Sequence, residues 1–329
     1  MESTVKTRYL LITAILLALT IGSRADAQEA FGYTLTTDVV YGKGKVEQDG
    51  KIVMHELKMD VYVPVDKNNE ELRPAVVLVH GGAWHRGGRR YPPYEHLGGI
   101  HSMMEGYARL LAPLGYVCFI IEYRLVPDNP VPTMALDTEG LQDHELILTD
   151  AAMDRLTLVR TEMNLPVLTT DDSLIVWNGV LAGAEDTNLA VTHVRDSAQK
   201  YGIDPDRIAL GGHSAGAGNT LNVAYGLNAK VAAFFPLSPP VMGFDMRQVI
   251  DSPDFPPMLL MVGQNDLGVV QEGIPGLLTT ASEARAPHDF AWVPGFGHFY
   301  PTEAVSLGSD GTRMSVGERV SEFLGEHLK

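Results

Sequence analysis

One stretch near the middle of the chain passes from an apolar segment into a helix-like segment through a turn of very small residues. Residues 207–213 (RIALGGH) are typical of a buried strand, and residues 215–227 (AGAGNTLNVAYGL) are typical of a helix. Ser214 lies at the junction, within the pattern G-x-S-x-G formed by residues 212–216. Glycine on each side of the serine permits a sharp strand-to-helix turn that leaves its hydroxyl exposed. The stretch therefore predicts a buried strand, a tight turn and a helix in immediate succession.

Strand-like and helix-like segments alternate along most of the chain. The strand-like runs are 52–65, 75–82, 116–125, 207–212, 231–238, 256–263 and 290–295, and the helical segments are 107–115, 188–202, 215–227 and 315–328. The first run alternates apolar and polar residues and predicts an early antiparallel strand, whereas the run at 75–82 is continuously apolar, as in a buried strand. This pattern predicts an α/β fold, with a mainly parallel central sheet and helices on both faces.

The composition fits one globular domain and disfavours some partners. The chain has 329 residues, 45% hydrophobic and 20% charged, which is ordinary for a globular α/β protein. Its formal net charge of −16 repels nucleic acids and anionic membranes. We therefore expect no nucleic-acid partner.

The first 27 residues have the order of a secretory signal peptide. Lys6 and Arg8 precede an apolar run from Leu10 to Gly22, and residues 25–27 (ADA) form a small-x-small cleavage site. The apolar run is shorter than the ~20 residues that a membrane helix needs. We expect cleavage near Ala27, export to the periplasm or the medium, and a mature domain of residues 28–329 without an integral membrane segment.

The single cysteine and the histidine spacing point away from disulfide and metal chemistry. Cys118 lies in the apolar run 116–125, as expected for a buried core residue, and no second cysteine exists to pair with it. No cluster of cysteine and histidine has the spacing of a metal site. We expect no metal.

Two further residues follow apolar strands and complete the chemistry that Ser214 needs. A serine hydroxyl is a poor nucleophile unless a neighbouring base accepts its proton and an acid orients that base. Asp266 follows the strand 256–263, and His298 follows the strand 290–295, so both lie at the carboxyl edge of the sheet. Their order after the serine is that of the G-x-S-x-G architecture.

Weaker alternatives exist for both partners. Asp254 precedes its strand, and Asp289 lies before the last strand. His213 is adjacent to the serine, but neighbouring side chains on such a turn point apart, so we assign it a packing or orienting role.

A glycine turn after the strand 75–79 supplies backbone donors for an oxyanion. The sequence around it is VLVHGGAWHRGG, and glycines without side chains let backbone N–H groups approach a substrate. We expect Gly81, Gly82 and Ala215 to donate these hydrogen bonds. Trp84 either contributes to the substrate pocket or packs in the core.

With these motifs the sequence resembles the α/β-hydrolase superfamily, and within it bacterial carboxylesterases and lipases with an HGG oxyanion motif, including the acetyl- and feruloyl-esterase-like group. The resemblance rests on residues 57–65 and 73–84, YRLVPDNPVP (123–132), YGIDPDRIALGGHSAG (201–216) and the segments around Asp266 and His298. It implies the same roles for Ser214, Asp266 and His298, the oxyanion donors named above, and no cofactor.

The sequence departs from this family most clearly in one insertion. About fifty residues, roughly 133–181, stand where a short loop is usual. They contain a helical segment (144–163) and an apolar tail (173–181) separated by an acidic stretch. Long insertions at this edge of the sheet tend to be lids, so we expect a lid, with a surface excursion away from the pocket as the alternative.

The sequence therefore predicts a carboxylic ester hydrolase of the EC 3.1.1 type, acting on a small-molecule or polymer-linked ester. We expect short- to medium-chain acyl groups or plant-derived esters. A serine peptidase or amidase of the same fold and a catalytically inactive binding protein are the alternatives. The alcohol moiety and the oligomeric state stay open.

Overall fold

The structure is a computed structural model that describes residues 32–65, 71–90, 95–96, 99–100 and 103–329. The predicted signal peptide lies outside the described residues. Among the described residues, none of the helices is long and apolar enough to cross a membrane.

Twelve strands form two sheets within the described residues. They are Gly32–Gln48 (β1), Lys51–Val65 (β2), Arg73–Val79 (β3), Glu95–His96 (β4), Gly99–Ile100 (β5), Val117–Ile121 (β6), Ile203–His213 (β7), Ala233–Leu237 (β8), Met258–Gly263 (β9), His288–Val293 (β10), Val305–Gly308 (β11) and Arg313–Ser315 (β12). Ten of them make one sheet in the order β1-β2-β6-β3-β7-β8-β9-β10-β11-β12, and β4 pairs with β5.

Eight α-helices accompany these strands in the same part of the chain. They are Met104–Leu111 (α1), Asp150–Glu162 (α2), Ser173–Asp196 (α3), Ala198–Tyr201 (α4), Ala215–Leu221 (α5), Met246–Val249 (α6), Gly268–Ala284 (α7) and Val316–Leu328 (α8). A π-helical turn, Asn222–Gly226, continues α5.

The centre of the sheet is parallel and its edges are antiparallel. Strands β6, β3, β7, β8, β9 and β10 pair in parallel, whereas β1 and β2 on one side and β11 and β12 on the other pair in antiparallel fashion. Every residue of β6, β8 and β9 is buried. Continuous apolar strands of this kind are stable only when helices cover both faces. Two clusters of buried apolar residues accordingly lie on the two sides of the sheet. The predicted α/β architecture is confirmed.

Several elements differ from the sequence prediction. Strand β1 carries mostly exposed residues, so it lacks the apolar signal of a core strand. Helix α7 contains Pro275 and Gly276, which weaken a helical pattern. The predicted start of a helix at residue 188 is wrong, because the apolar tail of the insertion and the segment after it form the single helix α3.

The insertion packs against the core of the domain. Its predicted end at residue 181 falls within α3. Helix α2 begins at Asp150 after Thr149, whose side chain accepts a hydrogen bond from the N–H of Ala152. Small residues let α3 approach its neighbours, because a side chain at Gly183 would meet the amide of Asn219 on α5. Within the insertion, Leu156, Val159 and Val176 belong to the larger cluster of buried apolar residues, so the insertion shares the main core.

Candidate active site

Ser214 occupies a strained turn between β7 and α5. Its backbone angles are φ 56° and ψ −125°, a conformation that costs a non-glycine residue about 1–3 kcal/mol. Gly212 and Gly216 allow the close approach within the turn, since a Cβ at Gly212 would lie 2.5 Å from the carbonyl of Gly216. The predicted strand, turn and helix are all present. The turn places the serine hydroxyl beyond the carboxyl end of β7.

Three side chains from separate loops meet in one chain of hydrogen bonds. The Oγ of Ser214 lies 2.7 Å from Nε2 of His298, and Nδ1 of His298 lies 2.6 Å from Oδ1 of Asp266. Because the carboxylate accepts from Nδ1–H, Nε2 is free to accept the serine proton. All three side chains are buried or nearly so. This arrangement can turn the hydroxyl into a nucleophile.

The carboxylate of Asp266 is kept ionised by its hydrogen bonds. Oδ2 accepts from the hydroxyl of Ser238 at 2.5 Å and from the N–H of Gly263 at 3.1 Å, and Oδ1 also accepts from the N–H of Leu267 at 2.8 Å. Burial alone would raise the pKa of Asp266, but the hydrogen bonds and the charge of the imidazole hold that pKa below its ordinary value. A permanently charged acid can therefore orient His298.

Ser238 is a site residue that the sequence analysis missed. It follows β8 at the same edge of the sheet, its backbone has φ 51°, and its Oγ lies 3.1 Å from the hydroxyl of Tyr300. Its position directly after a buried strand is the same signal that identified Asp266 and His298. Sequence reasoning did not use it because serine after a strand is common in turns.

His213 fixes the loop that carries His298. Its Nε2 lies 2.8 Å from the backbone oxygen of His298 and donates to it. The two imidazole rings are 4.8 Å apart between centroids. The orienting role predicted for His213 agrees with this contact.

The glycine turn (residues 81–86) lies directly against Ser214. A Cβ at Gly81 would lie 2.9 Å from Cβ of Ser214. The carbonyl of Gly81 accepts from Nδ1 of His80 at 2.8 Å, and the carbonyl of Gly82 accepts from the N–H groups of His85 and Arg86. Because C=O and N–H point in opposite directions across a trans peptide, these bonds fix where the N–H groups of the turn point.

Two non-glycine residues in this turn have positive φ angles. Ala83 has φ 55° and Trp84 has φ 56°, a left-handed conformation that costs about 1–2 kcal/mol per residue. The indole Nε1 of Trp84 donates to Oδ1 of Asn219 on α5 at 2.8 Å. The turn is therefore strained, and the helix that follows Ser214 holds one side of it.

A small cavity lies beside Ser214. Its volume is about 30 Å³, and its walls are mainly apolar. The lining residues are Ala83, Trp84, Ala152, Arg155, Leu156, Val176, Ser214, Ala215, Pro240, Met242, Leu267, Val269, Val270 and His298. Trp84 is thus both a packed residue and part of the wall. Of the predicted oxyanion donors, Ala215 lines the cavity, while Gly81 and Gly82 lie in the turn next to it. Ala83 also lines the cavity, and the sequence analysis does not name it as a site residue.

The insertion contributes part of the cavity wall. Ala152 lies one helical turn before Arg155 and Leu156 on the same face of α2, and Val176 lies on α3. The guanidinium carbon of Arg155 lies 5.9 Å from the ring centroid of Phe299, next to His298. Helix α2 and the start of α3 thus contribute to the wall of the cavity, and the lid stays a prediction.

Neither a metal site nor a reactive thiol accompanies this cavity in the described part of the chain. Among the described residues, no group of three metal-ligating side chains is close enough to hold an ion. Cys118 is buried in β6, and burial raises the pKa of its thiol well above the usual range.

Comparison with known proteins finds one family model and a set of similar esterase structures. The BD-FAE family model matches residues 59–141 and 176–251, just under half of the chain, and omits the middle of the insertion. No curated protein matches. Esterase 2 of Thermogutta terrifontis phosphorylated by paraoxon is similar with a TM-score of 0.53 and 17% identity, covering 90% of this chain and 94% of that one. The propionate-bound form of the same esterase is similar with a TM-score of 0.50 and 17% identity, covering 91% of this chain and 95% of that one.

The chain therefore has the fold of an α/β hydrolase and carries the G-x-S-x-G turn, and it is similar to esterases of that fold.

Proposed function

We propose that the protein is a serine esterase that works through Ser214, His298 and Asp266. The observation that carries this proposal is the unbroken series of hydrogen bonds from Asp266 through His298 to the Oγ of Ser214. His298 removes the serine proton as Oγ attacks the ester carbonyl. Asp266 stabilises the resulting imidazolium, and His298 then protonates the leaving alkoxide.

Backbone N–H groups stabilise the oxyanion that forms at the carbonyl. Gly81, Gly82 and Ala215 are the candidate donors, and Ala83, which lines the cavity, joins them. The positive end of the dipole of α5, a helix that begins at Ala215, points at the same place. Removal of one oxyanion donor typically costs about 3–4 kcal/mol of transition-state stabilisation. Water activated by His298 then releases the acid from Ser214.

We propose that the acyl group is short. The cavity beside Ser214 is small, about 30 Å³, and its walls are mainly apolar. It favours an acetyl or propionyl group, whereas an octanoyl chain requires the walls formed by α2 to move. The propionate bound to esterase 2 of Thermogutta terrifontis is a short acid of this kind.

A panel of substrates tests this function. p-Nitrophenyl acetate, butyrate, octanoate and ferulate are compared with peptide p-nitroanilides. We expect the highest kcat/KM for acetate or butyrate, a decline towards octanoate, and no anilide cleavage. Cleavage of the anilides alone would instead identify a peptidase.

We also propose export, with cleavage near Ala27, because basic, apolar and small residues follow one another at the N-terminus. N-terminal sequencing of the protein from the periplasm or medium of an expressing bacterium tests this. We expect a chain that begins close to residue 28; an intact N-terminus in the cytoplasm would contradict it.

A further inference from the structure

Two polar contacts join helix α2 of the insertion to the glycine turn. The Nη1 of Arg160 lies 3.1 Å from Nε2 of His85, and the Nη2 of Arg86 lies 2.7 Å from Oε2 of Glu162. Arg160 and Glu162 fall in the part of the chain that the family model omits, whereas the glycine turn falls inside a matched region. The contacts therefore connect a segment outside the family model with a turn inside it.

The hydrogen atoms of the first contact can be assigned. A guanidinium only donates, so Nε2 of His85 accepts from Arg160 and carries no proton. The proton of the neutral imidazole is then on Nδ1, which lies 2.7 Å from the carbonyl oxygen of Ala83 and donates to it. Burial, with the charges of Arg160 and Arg86 as smaller causes, lowers the pKa of His85 to about 4. The imidazole is accordingly neutral at pH 7 and bonds at both nitrogens.

The carbonyl that His85 holds belongs to the strained part of the turn. Ala83 and Trp84 both have positive φ angles, and the peptide between them is the one whose oxygen accepts from His85. Asn219 holds the indole of Trp84 from the other side. Without the bond from His85, the peptide can rotate towards a relaxed conformation and carry the neighbouring N–H groups with it.

Arg160 is itself fixed in place. Its side chain is 9% exposed, and its Nε donates to the carbonyl of Pro166 at 2.5 Å. The same helix packs Ala152 and Leu156 against the cavity. Arg160 lies on the buried face of α2, so its contact with His85 ties the glycine turn to the position of that helix.

We propose that Arg160 and His85 are positioning residues for the oxyanion site, through which the insertion holds the glycine turn in its catalytic conformation. This inference rests on the proposed function of the turn. Neither residue touches the substrate. Their loss misplaces backbone donors, and a displacement of 1 Å at a reacting group can lower a rate by about 100-fold.

Steady-state kinetics with p-nitrophenyl acetate test the pair. Arg160→Met keeps the length of the side chain but donates nothing, and His85→Leu removes both hydrogen bonds. We expect each to lower kcat by about 10- to 100-fold with KM within threefold. Because Arg160 acts through His85, the double variant loses no more than His85→Leu alone.

Conservative variants and a transition-state analogue separate positioning from simple stability. Arg160→Lys can still donate to Nε2, and His85→Asn can still donate to the carbonyl of Ala83, so both should recover part of kcat. A trifluoromethyl ketone, which forms an oxyanion on Ser214, should bind more weakly in proportion to each loss of kcat. These two variants also serve if Arg160→Met fails to fold. Arg195→Met, on α3 and away from the turn, is the matched control and should resemble the wild type.

Three results would overturn the inference. One is Arg160→Met with normal kcat, another is a double variant whose loss is the product of the single losses, and the third is a lower melting temperature of Arg160→Met with unchanged inhibitor affinity. If the wild type hydrolyses esters and Ser214→Ala does not, these results reject only the positioning role of Arg160 and His85, and the proposed function stands. A wild type without esterase activity would reject both.

Discussion

At the scale of single residues, the site depends on hydrogen bonds that favour the ionised form of Asp266 and hold His298 in place. Asp266 receives three donors besides His298, and they act against the cost of burying its charge. His213 holds the backbone of His298. The reactivity proposed for Ser214 therefore depends on neighbours that never contact the substrate.

Ser238→Ala tests this dependence. It removes the 2.5 Å hydrogen bond to Asp266, so the pKa of Asp266 should rise towards its ordinary value and the carboxylate should orient His298 less firmly. A hydrogen bond to a charged group contributes about 1.5–3 kcal/mol, so we expect kcat to fall about tenfold with KM unchanged. The measurement is kcat and KM on p-nitrophenyl acetate. Ser282→Ala, exposed on α7, is the control; equal kcat in the two variants would contradict the prediction.

The sequence predicts Ser214, Asp266 and His298 because each follows an apolar strand and chain order limits the choice. Ser238 carries the same signal, a position directly after a buried strand, but the sequence does not indicate that a serine after β8 meets an aspartate after β9. Arg160 carries no such signal. The contact of Arg160 with His85 depends on how the insertion packs, and local residue patterns carry no information about that.

At the scale of elements, helix α2 forms one wall of the cavity. Leu156 faces the cavity, while Leu158, two positions along the helix, is 38% exposed. The two leucines therefore separate the effect of cavity size from a general effect on the helix.

Leu156→Ala should enlarge the cavity and shift the preference towards longer acyl chains. We expect kcat/KM for octanoate relative to acetate to rise about 15- to 60-fold, since each additional buried CH₂ contributes about 0.8 kcal/mol and the removed side chain leaves room for about two or three. Leu158→Ala should leave this ratio unchanged. If both variants behave alike, the wall formed by α2 does not select the acyl chain.

The same scale explains which elements the sequence predicts. The central strands are continuously apolar because they are buried on both faces, so the sequence alone predicts them. Strand β1 pairs along almost its whole length with β2 but keeps an exposed face. The continuity of α3 across residue 188 is hard to predict, because Gly179 and Gly183 lower the helix propensity of the segment before it.

At the scale of the whole molecule, a network of charges joins the edge strands to the segment after the glycine turn. Asp60 on β2 is 1% exposed and accepts from Arg89 and Arg90, and Arg89 also donates to Glu122 at 3.0 Å. Burial alone would raise the pKa of Asp60, but the hydrogen bond from Arg90 and the two positive charges lower it. A carboxyl with a depressed pKa stabilises the fold at every pH above its unfolded value of about 3.9.

This network predicts a defined pH dependence of stability. As the pH falls below about 4 and through the folded pKa, Asp60 is protonated and its contribution is lost. Asp60→Asn should lower the free energy of unfolding by about 3 kcal/mol at pH 7, and the difference from the wild type should shrink towards pH 3. Urea denaturation at a series of pH values measures both. Asp154→Asn, exposed on α2, is the control; a constant difference for Asp60→Asn across the series would refute the assignment.

The central claim is that Ser214 is the nucleophile, activated by His298. Mass spectrometry after treatment with a fluorophosphonate measures this most directly. We expect one adduct per chain, on the peptide that contains Ser214. We expect no adduct in the variants Ser214→Ala and His298→Ala. An adduct on another residue, or an unmodified wild type that still hydrolyses esters, would contradict the account.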